Sequence, residues 1–352
     1  MDAPGVAQSV FITILEMPHV RTSLFSALSP RSLLLLSRSS RRVREYALEY
    51  MKTAFDINAT LGRYLPNPIE FRGLQARTGT LVSGSTALQF FDRSYNDPLA
   101  LDLYVFPLYR REVGAWLLSK GFSFRASHEQ DPCFAITALS RQRSVRFDSS
   151  PGVLTIYTFH RYHNGASVDV HIIVAIRTPI ETILSFHSTC MMNIISYDKA
   201  YCLFPLATLE KHISLLCSSS AHPVKSWVGA RPPDMPPTFT LLPKPDWGPS
   251  SSSRSHQLYP HTPRWLGDSY SWTLPLGLLG VSPPPPPQHV LPSTQSRSCR
   301  CIKLFNEEEV SVLNLAFVVG DEDTANHLAR TLQCKQWQEE YEVTICDLED
   351  WS

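Results

Sequence analysis

The residues with the clearest chemical potential form one short stretch of the chain. Gly84 and Ser85 stand at the start of a segment with helical apolar spacing, and a single carboxylate, Asp102, lies in the apolar run that follows. A helix that begins with small residues lets backbone N–H groups approach a phosphate, and its dipole favours the negative charge. Carboxylates two apart on a strand point the same way and can hold magnesium ions. The position two before Asp102 is Ala100, so one acid of such a pair is absent.

A second carboxylate of interest is Asp169, which lies in a run that alternates between apolar and polar residues. Successive side chains of a β-strand point to opposite faces. Asp169 and His171 are therefore predicted to share one face of a strand, while Val168 and Val170 share the other. A carboxylate on a strand beside that of Asp102 would complete a metal shell and activate an acceptor hydroxyl.

Together these residues predict a nucleotide-transfer site. In it Gly84 and Ser85 would bind the nucleotide, and Asp102 and Asp169 would be the catalytic residues that hold Mg²⁺. The alternative for the glycine and serine is a helix start that only packs tightly. For the two carboxylates the alternative is a structural hydrogen bond to a neighbour. Ala100 favours a site without turnover, because the metal ions carry the charge stabilisation in this chemistry.

Strands and helices alternate in the part of the chain that carries these residues. Short runs rich in β-branched and aromatic residues predict strands: TLVSGS, ALDLYVF, CFAITAL, VLTIYTFHR and SVDVHIIVAI. Runs with helical spacing predict helices: STALQFFDR, LYRREVGAWLLSKGF and TPIETILSFHST. This alternation predicts an α/β (α+β) domain over residues 61–217, with a small mixed sheet and flanking helices.

Helices are predicted before this domain, over residues 15–60. Two segments begin with a proline, which suits a first helical turn. An apolar stripe at helical spacing follows, and its members are Leu33, Leu36, Val43, Tyr46, Ala47 and Tyr50. The serines of 37–40 are predicted to divide this region into two helices, because serine competes for backbone hydrogen bonds in mid-helix.

The remainder of the chain changes in composition. Seventeen of the 28 prolines fall between Pro223 and Pro292, which predicts a Pro/Ser-rich linker or disordered insert over 218–299. An aromatic, alternating island at 264–276 is predicted as a strand that returns to the sheet. Residues 300–352 turn globular again and predict a small C-terminal α/β element.

The overall composition excludes several classes of protein. The formal net charge is +0, the hydrophobic content is 43% and the charged content is 18%. These values give no electrostatic attraction to nucleic acid and provide enough apolar residues for a core. The apolar runs are too short to span a membrane, and the eight cysteines show no paired knuckle. We expect a reduced protein of the cytoplasm or nucleus, without a membrane segment.

The stretch from about Gly73 to Tyr201 resembles a large family of uncharacterised proteins of mushroom-forming fungi. The central domain of that family is similar to the nucleotidyltransferase fold, and its acidic strand commonly reads D-L-D-L-Y-V. Here the strand reads Ala100-Leu101-Asp102-Leu103-Tyr104-Val105, so the first acid of the family pattern is missing. The resemblance covers about a third of the chain and implies a degenerate nucleotidyltransferase-like domain.

The N-terminal helices carry a second resemblance. The segment MPHVRTSLFSALSPRSLLLLSRSSRRVREYALEYMK is similar to an F-box, a short helical module that docks on the adaptor of a cullin ubiquitin ligase. Met17 and Pro18 stand where such modules often have Leu-Pro, and Leu24 and Leu28 follow. The resemblance implies docking through residues 15–50. The alternative is a helical cap that is packed on the central domain.

The sequence therefore predicts a binding or adaptor protein, built on a degenerate nucleotidyltransferase-like domain with an F-box-like N-terminus. The rival prediction is a Mg²⁺-dependent nucleotidyltransferase that acts on an unknown acceptor. Ala100 is the residue that separates the two.

Overall fold

The centre of the fold is a mixed β-sheet. The computed structural model describes residues 11–94, 100–139, 152–163, 166–186, 188–215, 239–242, 264–282, 300–301 and 317–319. In chain order the strands are β1 (Leu81–Ser83), β2 (Leu101–Val105), β3 (Ser123–Arg125), β4 (Val153–His163), β5 (Ala166–Ala175), β6 (Asn193–Ile195), β7 (Lys199–Cys202), β8 (Ile213–Leu215), β9 (Thr240–Leu242), β10 (Arg264–Trp265), β11 (Trp272–Pro275), β12 (Arg300–Cys301) and β13 (Phe317–Val319).

Eight of these strands form the main sheet, in the order β11-β7-β6-β1-β2-β5-β4-β3. Within this sheet β2 and β5 run parallel, and the other neighbouring pairs are antiparallel. Parallel neighbours need a long crossover connection, which the chain between β2 and β5 supplies. Strands β8 and β9 form a separate pair, and β10, β13 and β12 form a small third sheet.

Helices cover both faces of the main sheet. In chain order the helices, including the three that precede the sheet domain, are α1 (Pro18–Ala27), α2 (Pro30–Leu36), α3 (Arg41–Ala54), α4 (Ile57–Gly62), α5 (Pro68–Thr78), α6 (Gly84–Asp92), α7 (Arg110–Ser119), α8 (Phe134–Thr137) and α9 (Pro179–Leu184). Side chains from α4 to α8 meet one face of the sheet in a large apolar cluster. Side chains from α9 and from residues 192–207 meet the other face in a second cluster.

The first three helices form a small module with its own core. Serines cap two of them: Ser29 accepts a hydrogen bond from the backbone N–H of Ser32, and Ser40 accepts one from that of Val43. These caps place the division between α2 and α3 where the serine-rich segment predicted it. The buried core of this module, called here the helical core, consists of Leu15, Phe25, Leu33, Val43 and Ala47.

The predicted α/β class, with a mixed sheet and flanking helices, is confirmed. One predicted strand, CFAITAL, is wrong, since its centre forms the short helix α8. The reason is tertiary: the Phe134 ring packs against Phe124 of β3 and against Tyr157 and Phe159 of β4. The backbone turns there because the Asp131 carboxylate accepts a hydrogen bond from the N–H of Cys133.

The aromatic island predicted as a returning strand is β11, which pairs with β7 at the edge of the main sheet. Most of the predicted Pro/Ser-rich insert and of the predicted C-terminal element lies outside the described residues. Among the described helices, none has the length and apolar character needed to cross a membrane.

Candidate functional site

The site is built where β1 runs directly into α6. Gly84 begins the helix with φ +71°, a backbone conformation that L side chains rarely adopt. A Cβ at this position would lie 3.0 Å from Asp102 Oδ2. Glycine is therefore needed both for the turn and for the close approach of the helix start to the Asp102 carboxylate. Ser85 follows in the first turn of α6 and is partly exposed.

Asp102 is hydrogen-bonded to a residue that the predicted site did not include. In the parallel ladder Asp102 lies opposite His171, and His171 Nδ1 lies 3.0 Å from Asp102 Oδ1. Both side chains are partly exposed, at 26% for Asp102 and 33% for His171. The hydrogen bond to Asp102 raises the pKa of His171, against the opposing effect of burial. The charge of Asp169 raises the same pKa further, and that of Arg125 lowers it.

Asp169 forms a separate ion pair. Its Oδ2 lies 3.4 Å from Arg125 Nη1 of β3, and its Oδ1 accepts a hydrogen bond of 3.4 Å from the Ser167 hydroxyl. The ladder places His171, and not Asp169, opposite Asp102. The two carboxylates that were predicted to share a metal each contact a different side chain, Asp102 that of His171 and Asp169 that of Arg125.

The backbone of Ala100, where the second acid would stand, is hydrogen-bonded to α6. The Thr86 hydroxyl lies 3.3 Å from the carbonyl oxygen of Ala100 and 3.1 Å from the Tyr64 hydroxyl. Tyr64 is buried, and burial raises its pKa. These contacts hold the start of β2 against α6 without a second carboxylate.

The residues present do not fit a magnesium site. Within the described part of the chain, no group of three His, Cys, Asp or Glu side chains is arranged to hold a metal ion. Mg²⁺ demands near-ideal octahedral geometry and oxygen ligands. Asp102 offers one carboxylate, and one of its oxygens already accepts from an imidazole.

The structure thus brings Gly84 and Asp102 together and places Asp169 apart from them, in its own ion pair with Arg125. His171 is the site residue that the prediction missed as a partner. The alternation of its strand did place it on the face of Asp169. The residue pattern of a single strand does not give the register between β2 and β5, so it could not predict that His171 lies opposite Asp102.

Comparisons with models of protein families, with curated proteins and with solved structures found no match.

Proposed function

We propose that this protein is a binding or adaptor protein whose central domain is a degenerate nucleotidyltransferase-like domain that does not use metal. The observation that carries the proposal is the Asp102–His171 hydrogen bond. It stands where a catalytic domain of this type needs a free carboxylate for a metal ion. Ala100 removes the other carboxylate, so the charge stabilisation that drives nucleotide transfer has no source in these residues.

The nucleotidyltransferase-like assignment rests on the arrangement around Gly84. A short strand enters a helix through a glycine, and that helix start faces a carboxylate on the adjacent strand. This matches the G-S helix start and acidic strand of the fungal family that the sequence resembles.

The adaptor part of the proposal concerns the helical module. Leu33 is buried in the helical core, and Leu24 and Leu28 pack against it. These three leucines pack within the module itself. Met17 and Leu35 are 48% and 55% exposed. They are the side chains that we propose contact a ubiquitin-ligase adaptor.

The catalytic question is tested with the full-length protein, a labelled nucleoside triphosphate and Mg²⁺. We expect no label transfer above a blank, and no saturable Mn²⁺ signal in a spin-resonance titration. The double variant Ala100→Asp, His171→Asn restores one carboxylate and frees the other. It is expected to gain metal binding, while His128→Asn, a change at an exposed histidine paired with Glu129, is not.

Magnesium-dependent transfer by the wild-type protein that is lost in Asp102→Asn would overturn this proposal. It would establish the rival function, a nucleotidyltransferase.

The adaptor is tested by binding of the purified protein to a purified cullin-ligase adaptor. Met17→Glu and Leu35→Glu should each weaken binding at least about tenfold, because a charge is placed in an apolar contact. Leu118→Glu, at an exposed leucine of α7 in the sheet domain, is the matched control. No binding by the wild-type protein would refute the F-box-like role.

A further inference from the structure

The connection between α1 and α2 is held by two side chains of the sheet domain. Leu28 and Ser29 form this connection, and both have extended backbone, with ψ of 141° and 157°. Arg93 contacts it from one side and Glu210 from the other. We call these contacts the joint. They link the helical module to residues that lie 65 and 181 positions further along the chain.

Arg93 follows α6 with φ +56°. Its guanidinium donates to the carbonyl oxygens of Leu28 and Phe25 at the end of α1, and to the Tyr50 hydroxyl at 3.1 Å. It also lies over the Phe55 ring, 5.8 Å from the ring centroid. One cation thus binds carbonyl oxygens at the end of α1 and packs on an aromatic face.

Glu210 ends a π-helical turn at Leu206–Glu210. Its Oε2 accepts a hydrogen bond of 2.8 Å from the Ser29 hydroxyl, and its Oε1 accepts one of 3.0 Å from the backbone N–H of Arg31. The carboxylate therefore accepts one hydrogen bond from the connection and one from the first turn of α2. The Ser29 hydroxyl donates the first of them.

We propose that Ser29 is a phosphorylation site for a proline-directed protein kinase, and that its phosphate opens the joint. Ser29 is followed directly by Pro30, and Leu28 and Ser29 have extended backbone between the end of α1 at Ala27 and the start of α2 at Pro30. An extended Ser-Pro segment is the substrate form that such kinases take. This inference does not depend on the function proposed above.

The reaction is an ordinary phosphoryl transfer from ATP. Ser29 Oγ forms a bond to the γ-phosphorus, the bond from that phosphorus to the bridging β,γ-oxygen breaks, and ADP leaves. The hydroxyl proton passes to the base of the kinase. Ser29 is only partly exposed, so the kinase acts when the joint opens locally.

The phosphate opens the joint because it replaces a hydrogen-bond donor to the Glu210 carboxylate with a negatively charged group. A phosphoserine carries a charge of about −1.5 to −2 at pH 7 and presents acceptor oxygens. It no longer donates to the Glu210 carboxylate, and it repels that carboxylate. The exposed side chain of Arg31, two residues on, offers a cation on the solvent side. Both effects draw the connection away from Glu210.

The test uses the full-length protein, ATP and a purified proline-directed kinase. Peptide mass spectrometry should locate a phosphate on Ser29. Hydrogen exchange of the Arg31 amide, which donates to Glu210, should then become at least about tenfold faster, as expected for an opened contact. Ser29→Ala, treated identically, keeps the Ser150-Pro151 and Ser282-Pro283 sequences, so any effect of phosphate at those places persists in it.

Two variants of Glu210 test the electrostatic cause. Glu210→Gln keeps an acceptor but carries no charge, so phosphorylation should accelerate exchange less than in the wild type. Glu210→Lys should reverse the sign, with an open joint before phosphorylation and slower exchange after it. Absence of phosphate on Ser29, unchanged exchange after its addition, or an equal response in Glu210→Lys would each overturn the proposal.

Discussion

The two cores of the molecule are held together in different ways. The main cluster of the sheet joins side chains from five helices and most of the strands, and many of them are aromatic. The helical core has only Leu15, Phe25, Leu33, Val43 and Ala47 as its buried members. Its attachment to the sheet includes the charged contacts of Arg93 and Glu210. The sheet is stabilised by apolar burial, whereas the module depends more on a few directional contacts.

This difference has consequences for stability and regulation. Apolar burial scales with area and responds little to a single charge. Hydrogen bonds to charged groups are individually stronger than those between neutral groups. A chemical change in one partner is enough to remove such a bond. We therefore expect the module to respond to local chemical change while the sheet does not.

The largest expected effect is in the sheet core. Phe91 is fully buried and packs against Phe90 and Trp272, so it joins α6 to the edge strand β11. Phe91→Ala should lower the free energy of unfolding by about 3 to 5 kcal/mol, through lost burial and a cavity. Urea denaturation followed by circular dichroism measures it. Leu118→Ala, at an exposed site, should change stability by less than about 0.5 kcal/mol, and a similar loss in both variants would contradict the comparison.

A truncation in the helical core should lower the free energy of unfolding by less, and its effect should be confined to the helical module. Leu33→Ala is expected to cost about 2 to 3 kcal/mol, the lower part of the range for such truncations, because a small core can collapse around the gap. Hydrogen exchange should rise in α1 to α3 and not in the sheet strands. Leu35→Ala, at the exposed leucine two residues on, is the control. If exchange rose equally in the sheet, the two cores would be one cooperative unit.

How far the sequence predicts this molecule can be judged from particular residues. Alternation correctly places His171 and Asp169 on one face of β5, and the serines of 37–40 correctly mark the division between α2 and α3. The aromatic alternation before Pro275 correctly predicts a strand. Each of these signals is local, and each depends on the period of one element.

The failures share a different cause. The pairing of Asp102 with His171 depends on strand register, and the helix at Phe134 depends on the rings that surround it. A Cβ on Gly114 would meet the Phe134 ring at 2.1 Å, so this fit requires a glycine twenty residues away in another helix. The contacts of Glu210 with Ser29 are more distant still. Such relations are set by tertiary packing, which overrides local propensity.

A smaller effect is expected at Gly84, where a substitution tests whether the start of α6 is held rigidly against Asp102. Gly84→Ala forces a left-handed residue and places its Cβ 3.0 Å from Asp102 Oδ2, so a loss of about 1 to 3 kcal/mol is expected. Gly121 has φ +81° with no atom within 4 Å of such a Cβ. Gly121→Ala therefore carries the backbone strain alone. Equal losses in the two variants would mean that α6 moves freely away from Asp102.

The smallest effect concerns the dependence of stability on pH at the partly exposed Asp102–His171 pair. The hydrogen bond to Asp102 raises the pKa of His171 above its usual value of 6.5. A group with a raised pKa in the folded state binds a proton more tightly there, so its stabilisation is complete below the unfolded pKa. It is lost as the pH rises through the higher folded pKa, because the neutral imidazole no longer pairs with the carboxylate. The relevant window begins near pH 6.5 and extends upward.

The groups that face this imidazole are Asp102 and Asp169, which favour its charged form, and Arg125, which opposes it. His171→Gln can still donate to Asp102 but does not titrate. The free energy of unfolding of the wild type minus that of His171→Gln should therefore fall as the pH rises through this window. Asp102→Asn should flatten the fall, since it removes the largest cause of the shift. His128→Gln, at the exposed pair with Glu129, controls for ordinary surface titration. A difference that stayed constant or grew with pH would show that the pair does not hold a charged imidazole, and that the sheet positions these two side chains less closely than its core packing implies.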